Sequence, residues 1–146
     1  MKCNFSRPFV LALVSVTAHA ATACAQAEPK IAIFSSLCGE VESGDVAGYQ
    51  IVIRRSTPRP SVSFSWGGEG PLMGPVPASA VTLDPRSGEL RFVADANGQS
   101  VVFTGKILGN NLRGKVRWKS SPTETWRIEP IYLREVEHLD LLNACP

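Results

Sequence analysis

The stretch ELRFVADANGQSVVFTGK, residues 89–106, decides how this chain folds. Apolar and polar residues alternate on both sides of Asn97-Gly98. Leu90, Phe92 and Ala94 share one parity before the dipeptide, and Val101 and Phe103 share one after it. A period of two is the mark of a half-buried strand. Asn-Gly tolerates the positive φ that a two-residue type I′ turn demands, so the stretch reads as a hairpin. That turn fixes the register. Ala96 faces Gln99, Ala94 faces Val101, Phe92 faces Phe103, Leu90 faces Gly105 and Glu89 faces Lys106. The apolar set then lies on one face, and the outermost pair is opposite in charge. A slip of one residue would turn the whole apolar set outward.

Working outward, the same alternation recurs. Upstream, Asp84-Pro85-Arg86-Ser87-Gly88 is a turn, with aspartate to bond back, proline to set φ and glycine to accept φ > 0. Before it, residues 76–83 place Val81 and Leu83 on an apolar face. Residues 61–66 set Val62, Phe64 and Trp66 against three serines, and residues 48–55 align Tyr49, Ile51 and Ile53. Prolines 58 and 60 mark the link between these two strands. Downstream, a loop at Asn110-Asn111 would set Phe103 against Trp118 and Ile107 against Gly114. A loop at Gly109-Asn110 slides the pairs but keeps the faces. Residues 125–133 form a last strand, with Trp126 and Ile128 expected inward and Pro130 at an edge or bulge.

Residues 135–143 change period. Tyr132, Val136, Leu139 and Leu142 fall on one helical face, so a short C-terminal helix is expected there. Residues 67–75 are the single long irregular loop. The fold class is therefore all-β: one antiparallel meander of about seven strands, curled into a small up-and-down barrel or sandwich. Gly105 and Gly114 on the inner face favour the barrel, as points of tight curvature or close packing. This architecture resembles that of lipocalins and avidins. The Gly-x-Trp signature of lipocalins is missing near the first strand; Trp66-Gly67 reverses it on the second. The resemblance therefore carries over no ligand.

The chain's ends speak to compartment. Lys2 and Arg7, the apolar run at residues 9–18 and the small residues around Ala23-Cys24-Ala25 have the three parts of a secretory signal. The apolar run is too short to span a bilayer. Cleavage after Ala25 gives a signal of residues 1–25 and a single β domain of residues 26–146, with no transmembrane segment after removal. It also leaves two cysteines, Cys38 and Cys145, which are expected to pair in an oxidising space. The alternative of a lipid anchor on Cys24 rests on Ala21-Thr22-Ala23-Cys24, which lacks the usual leucine. Localisation is expected to be periplasmic or secreted.

Loss of Lys2 and Arg7 lowers the 15 basic residues to the number of acidic ones, 13, so the net charge falls from +2 to zero. Global charge gives no argument for nucleic acid, and none is expected as a partner. Locally, Arg113, Lys115, Arg117 and Lys119 alternate on one strand and project from one face, and Lys106 should join them from its neighbour. Such a stripe suits an anionic surface, with lipopolysaccharide, an acidic glycan or an acidic protein as examples. No aromatic residue interleaves it on its own face.

Catalytic chemistry finds little support. His138 is the only histidine after the signal, and no Gly-x-Ser-x-Gly elbow accompanies it. With both cysteines in a bridge, no metal set remains, and no cofactor is expected. The first reading is a non-enzymatic, exported binding protein for a small apolar ligand or an anionic envelope component. Trp66, Phe92, Phe103 and Trp118 would line a cavity or fill a solid core, and a sugar could stack on Trp66 with Glu69 taking its hydroxyls. Two alternatives stand beside it: a small carboxylate hydrolase of an envelope polymer, and a structural or inhibitory protein presenting the loop at residues 67–75.

Overall fold

A computed structural model describes residues 30–40, 42–55, 59–68, 71–96, 98–138 and 143–145. Its strands are β1 (Lys30–Ser35), β2 (Cys38–Gly39), β3 (Val46–Arg55), β4 (Ser61–Gly67), β5 (Met73–Pro77), β6 (Ser79–Leu83), β7 (Glu89–Ala96), β8 (Gln99–Leu108), β9 (Asn111–Lys119), β10 (Arg127–Val136) and β11 (Asn143–Ala144). Neighbours in sequence pair antiparallel from β3 to β5 and from β6 to β10, and β1 lies between β3 and β10. The result is a nearly closed, barrel-like sheet with meander order.

The β7–β8 hairpin has the register that Asn97-Gly98 dictates, from Ala96↔Gln99 to Glu89↔Lys106. The next hairpin turns at Gly109-Asn110, with Leu108 opposite Asn111 and Phe103 opposite Val116. A turn at Asn110-Asn111 is thereby overturned. Gly109, at φ +60°, supplies the left-handed residue that turn needs. Asp84 shapes the turn before β7, accepting from Arg86 N and Ser87 Oγ at 2.8 Å each.

Three sequence expectations are corrected. The strand expected at residues 76–83 is two strands, β5 and β6, which bond different neighbours, and β5 starts at Met73, inside the stretch 67–75 expected to be an irregular loop. β5 pairs with β4 and β6 with β7, so this one segment bridges the two halves of the sheet. Within β6 Ala80 takes φ +47°, and the register with β7 shifts between Ser79 and Thr82. Inward parity therefore changes from Val76 and Ala78 to Val81 and Leu83, as a β-bulge does when it inserts one residue. A further strand, β1, precedes the expected seven. Its Ile31-Ala32-Ile33-Phe34 is a continuous apolar run without alternation, so periodicity is silent about it. The C-terminal helix is absent among the described residues. Glu135 and Val136 continue β10, pairing with Phe34 and Ile33, and Asn143–Ala144 is the strand β11 alongside β2. Sheet pairing overrides a short helical period there; Leu139 and Leu142 lie outside the described residues.

The core is the barrel's interior. Phe92 and Phe103 are fully buried with ring centroids 5.1 Å apart, and Phe34, Phe64, Ile51, Ile53, Leu112 and Leu133 pack around them. Gly105 and Gly114 are needed where Phe103 lies over the sheet. A Cβ on Gly114 would meet Phe103 Cε2 at 2.7 Å, and one on Gly105 would collide with Cζ of the same ring. Cys38 and Cys145 form a disulfide across 107 residues. A loop that long corresponds to about 4–5 kcal/mol of lost unfolded-chain entropy.

Candidate functional site

One end of the barrel, where β3 and β10 begin and β4 and β8 meet their turns, forms a mouth. Its lining is Tyr49, Phe64, Trp66, Gln99, Val101, Val116 and Trp118, around a space of about 30 Å³. Inside, that holds a water or two, not an enclosed ligand. Trp66 and Trp118 are half-buried at the rim. Below them Phe92 and Phe103 fill a solid core, so the four aromatics do not line one cavity. Trp66 stacks on Phe64 at 5.4 Å, and Tyr49 lies on the other side of Phe64 at 6.0 Å. Glu69, the expected acceptor beside Trp66, lies outside the described residues.

The last strand reverses the expectation for Trp126 and Ile128. Antiparallel pairing sets Trp118 opposite Arg127, Val116 opposite Glu129 and Leu112 opposite Leu133. The inward set of β10 is therefore Arg127, Glu129, Ile131 and Leu133. Ile128 is 61% exposed and Tyr132 is 43% exposed, on the outside. The even positions hold more apolar residues than the odd ones, which is why apolar count chose the wrong face. Pairing with β9 overrides the count, because the inward positions near the mouth need not be dry.

Inside the mouth, Tyr49 donates a hydrogen bond to Glu129 Oε2 at 2.6 Å, reaching across from β3 to β10. Burial, reinforced by that carboxylate, raises the Tyr49 pKa well above the ordinary phenol value. Arg127 lies over the Trp118 ring at 5.3 Å and forms an ion pair with Glu124 at 3.6 Å.

Outside, the inverted strand changes the basic stripe. Arg113, Lys115 and Arg117 are exposed on β9, Lys119 is half-buried, and Lys106 sits opposite Arg113. The stripe was expected to lack aromatics, but β10 brings them alongside. Arg113 lies over Tyr132 at 4.9 Å; Arg117 and Lys119 lie over Trp126 at 4.9 and 5.0 Å. Each such contact at an exposed position is worth about 0.5–1 kcal/mol. Alternate residues of a strand repeat about every 6.8 Å, so the four cations of β9 span about 20 Å. An open groove of about 520 Å³ adjoins the stripe, lined by Thr82, Arg91, Thr104, Lys106 and Arg113 together with Asp84 and Glu89.

The described carboxylates are spread over the surface. Asp84 and Glu89 share the groove just named, and Glu135 and Glu137 line another with Asn110, Ile31 and Ile33. The Asp84 carboxyl is held below its usual pKa, first by the Arg86 backbone N–H and then by the Ser87 hydroxyl. His138 is exposed beyond the end of β10. Among the described residues no group of three or more histidine, cysteine or acidic side chains could hold a metal. No helix among them is long and apolar enough to cross a membrane.

Sequence reasoning missed Tyr49, Gln99, Arg127 and Glu129 at the mouth and Tyr132 on the face. One signal could have found those on β10: its inward parity is fixed by counting across from β9, not by its own composition. Fold and site together define a small, nearly closed, barrel-like antiparallel sheet with a filled core, an aromatic mouth and a cation–aromatic outer face. No protein-family model, curated protein or solved structure matches this chain.

Proposed function

We propose that this protein is an exported, non-enzymatic binding protein that engages an anionic envelope component through the outer face of β8, β9 and β10. The observation that carries the reading is the inversion of β10. It sets Ile128, Tyr132 and half-buried Trp126 on the outside, beside a regular ladder of cations. Scattered exposed apolar residues are ordinary, but a contiguous patch interleaved with cations is a recognition surface. Cations draw an anionic partner in, and the aromatic and aliphatic side chains add contact area. The signal-like N terminus and the Cys38–Cys145 bridge support export, since disulfides persist in oxidising compartments.

Two other readings fit less well. A carrier of small apolar ligands needs an internal void of about 300 Å³ or more, against about 30 Å³ at the mouth. A carboxylate hydrolase needs two carboxylates converging on a substrate in a cleft, whereas Asp84 of the Asp84–Glu89 groove spends both oxygens on its own turn, on Arg86 N and Ser87 Oγ.

The test is retention on immobilised dextran sulfate and on phosphatidylglycerol vesicles over a salt series. The double reversal Lys115→Glu/Arg117→Glu should abolish retention at moderate salt. Arg54→Glu/Arg55→Glu carries the same charge change on β3 and should leave most of it. The pair Trp126→Ala/Tyr132→Ala should weaken retention with no change in charge. Equal losses for both reversals would reduce the stripe to bulk electrostatics and sink the reading.

A further inference from the structure

We infer that the barrel mouth seats a single pyranose ring of a glycan, laid on the half-buried indoles of Trp66 and Trp118. The inference stands on the interior of the mouth and does not depend on the outer face.

The shape of the mouth limits the occupant. With about 30 Å³ below the rim, no group can descend into the barrel. A ligand must lie across the opening on aromatic faces, as a flat or chair-shaped ring can. The polar groups narrow the chemistry. Gln99 points inward with Val101 and Phe103, and its side-chain amide has no hydrogen-bond partner among the described residues. The same holds for the indole N–H groups of Trp66 and Trp118. Glu129 uses Oε2 for the Tyr49 hydroxyl, while its Oε1 has no hydrogen-bond partner among the described residues. None of these atoms is both buried and unsatisfied, so all face solvent and can exchange water for a ligand. The mouth thus combines aromatic walls with the Gln99 amide in its lining and the Glu129 carboxylate bonded to Tyr49 at its edge, the make-up of a site that orients a polar ring.

A hydrocarbon would strip water from the Glu129 carboxylate and the Gln99 amide and return no hydrogen bonds, which is costly. A quaternary ammonium favours aromatic cages, but here the Arg127 guanidinium already lies over Trp118 at 5.3 Å and repels a second cation. A pyranose meets both demands. Its C–H face packs on an indole, and its hydroxyls both donate to Glu129 and accept from Gln99 and the indole N–H groups. Tyr49, kept neutral and bonded to Glu129, holds that carboxylate in place across the gap between β3 and β10.

The experiment follows the indole N–H resonances of the full mature chain by two-dimensional NMR. Glucose, galactose, N-acetylglucosamine and glucuronic acid are titrated separately, with choline and hexanoate as competing chemistries. At least one pyranose should shift the Trp66 and Trp118 signals saturably, with a dissociation constant on the order of 1 mM, and leave Trp126 still. Trp118→Ala and Glu129→Gln should each weaken that binding about tenfold or more, the scale of one lost contact of about 1.4 kcal/mol. An unchanged Phe103 ring environment would show that each variant keeps its fold. The double reversal Lys115→Glu/Arg117→Glu should leave sugar binding intact, which separates this inference from the proposal for the outer face. Shifts caused by choline or hexanoate alone, no shift with any probe, or sugar binding that survives both mouth variants would overturn it.

Discussion

Strands β8 and β10 are equally long and flank β9 on opposite sides, yet they obey opposite rules. On β8 the apolar residues Val101 and Phe103 point in and are almost fully buried. On β10 the positions richest in apolar residues, Ile128, Pro130 and Tyr132, point out, and Arg127 and Glu129 point in. Burial alone explains β8. For β10, pairing with β9 imposes a parity that its composition resists. The sheet accepts this because the inward positions it assigns to charge lie at the mouth, next to water, while Ile131 and Leu133 fill the dry part. A strand that contradicts its own apolar pattern shows pairing overriding composition where the inward positions are wet.

The strongest way to break this comparison is to empty the packed half. Phe103→Ala should cost about 3–5 kcal/mol in denaturant unfolding, because the neighbouring rings and the two glycines cannot collapse into the gap. Loss smaller than about 1 kcal/mol would mean that the interior is not solid. Replacing both Cys38 and Cys145 with serine should cost about 2–5 kcal/mol, read as a lower midpoint with the fold retained. The two isoleucines of β10 test the inversion directly. Ile131→Ser should cost about 3 kcal/mol, whereas Ile128→Ser should stay within about 0.5 kcal/mol of the parent. The opposite ranking would restore the face that composition favours.

A smaller effect lies in pH. The folded-state pKa of Tyr49 is raised, by burial and then by Glu129, above its unfolded value of about 10. Its contribution to stability is therefore complete below about pH 10 and declines as the pH rises beyond that, where the unfolded chain loses the proton first. Tyr49→Phe should cost about 1 kcal/mol near neutrality, a modest figure because the site is half open to solvent. It should also flatten the alkaline part of the stability profile. An unchanged alkaline slope would detach Tyr49 from that titration.

Much of this architecture was legible where local signals agree. Asn97-Gly98 and the alternation around it fix eight residue pairs without reference to the rest of the chain. The two cysteines left after the export-like N terminus, Cys38 and Cys145, pointed to the bridge. The rest was hidden for particular reasons. β1 is a plain apolar run, and only its two partners show that it is a strand. Ala80 reverses parity within what looks like one strand, at a residue with no turn chemistry. The residues 135–143 carry a helical period that β10 and β11 override at its ends. The basic stripe could be read from β9 alone. Its aromatic companions could not, because Trp126 and Tyr132 join it only through a register set across β9 and β10.

The ring of strands is sewn unevenly. β9 and β10 share eight residue pairs, but β1 and β10 meet at only three, Ile33↔Val136, Phe34↔Glu135 and Ser35↔Arg134. The β4–β5 and β6–β7 ladders hold three pairs each as well, and β5 and β6 share none, so amide exchange should run faster along β5, β6 and the β1–β10 seam than along the β8–β9–β10 ladders. Under load the β1–β10 stitch would give like a cuff at its button. The covalent clasp beside it sets how far the cuff can gape before the whole sleeve unrolls.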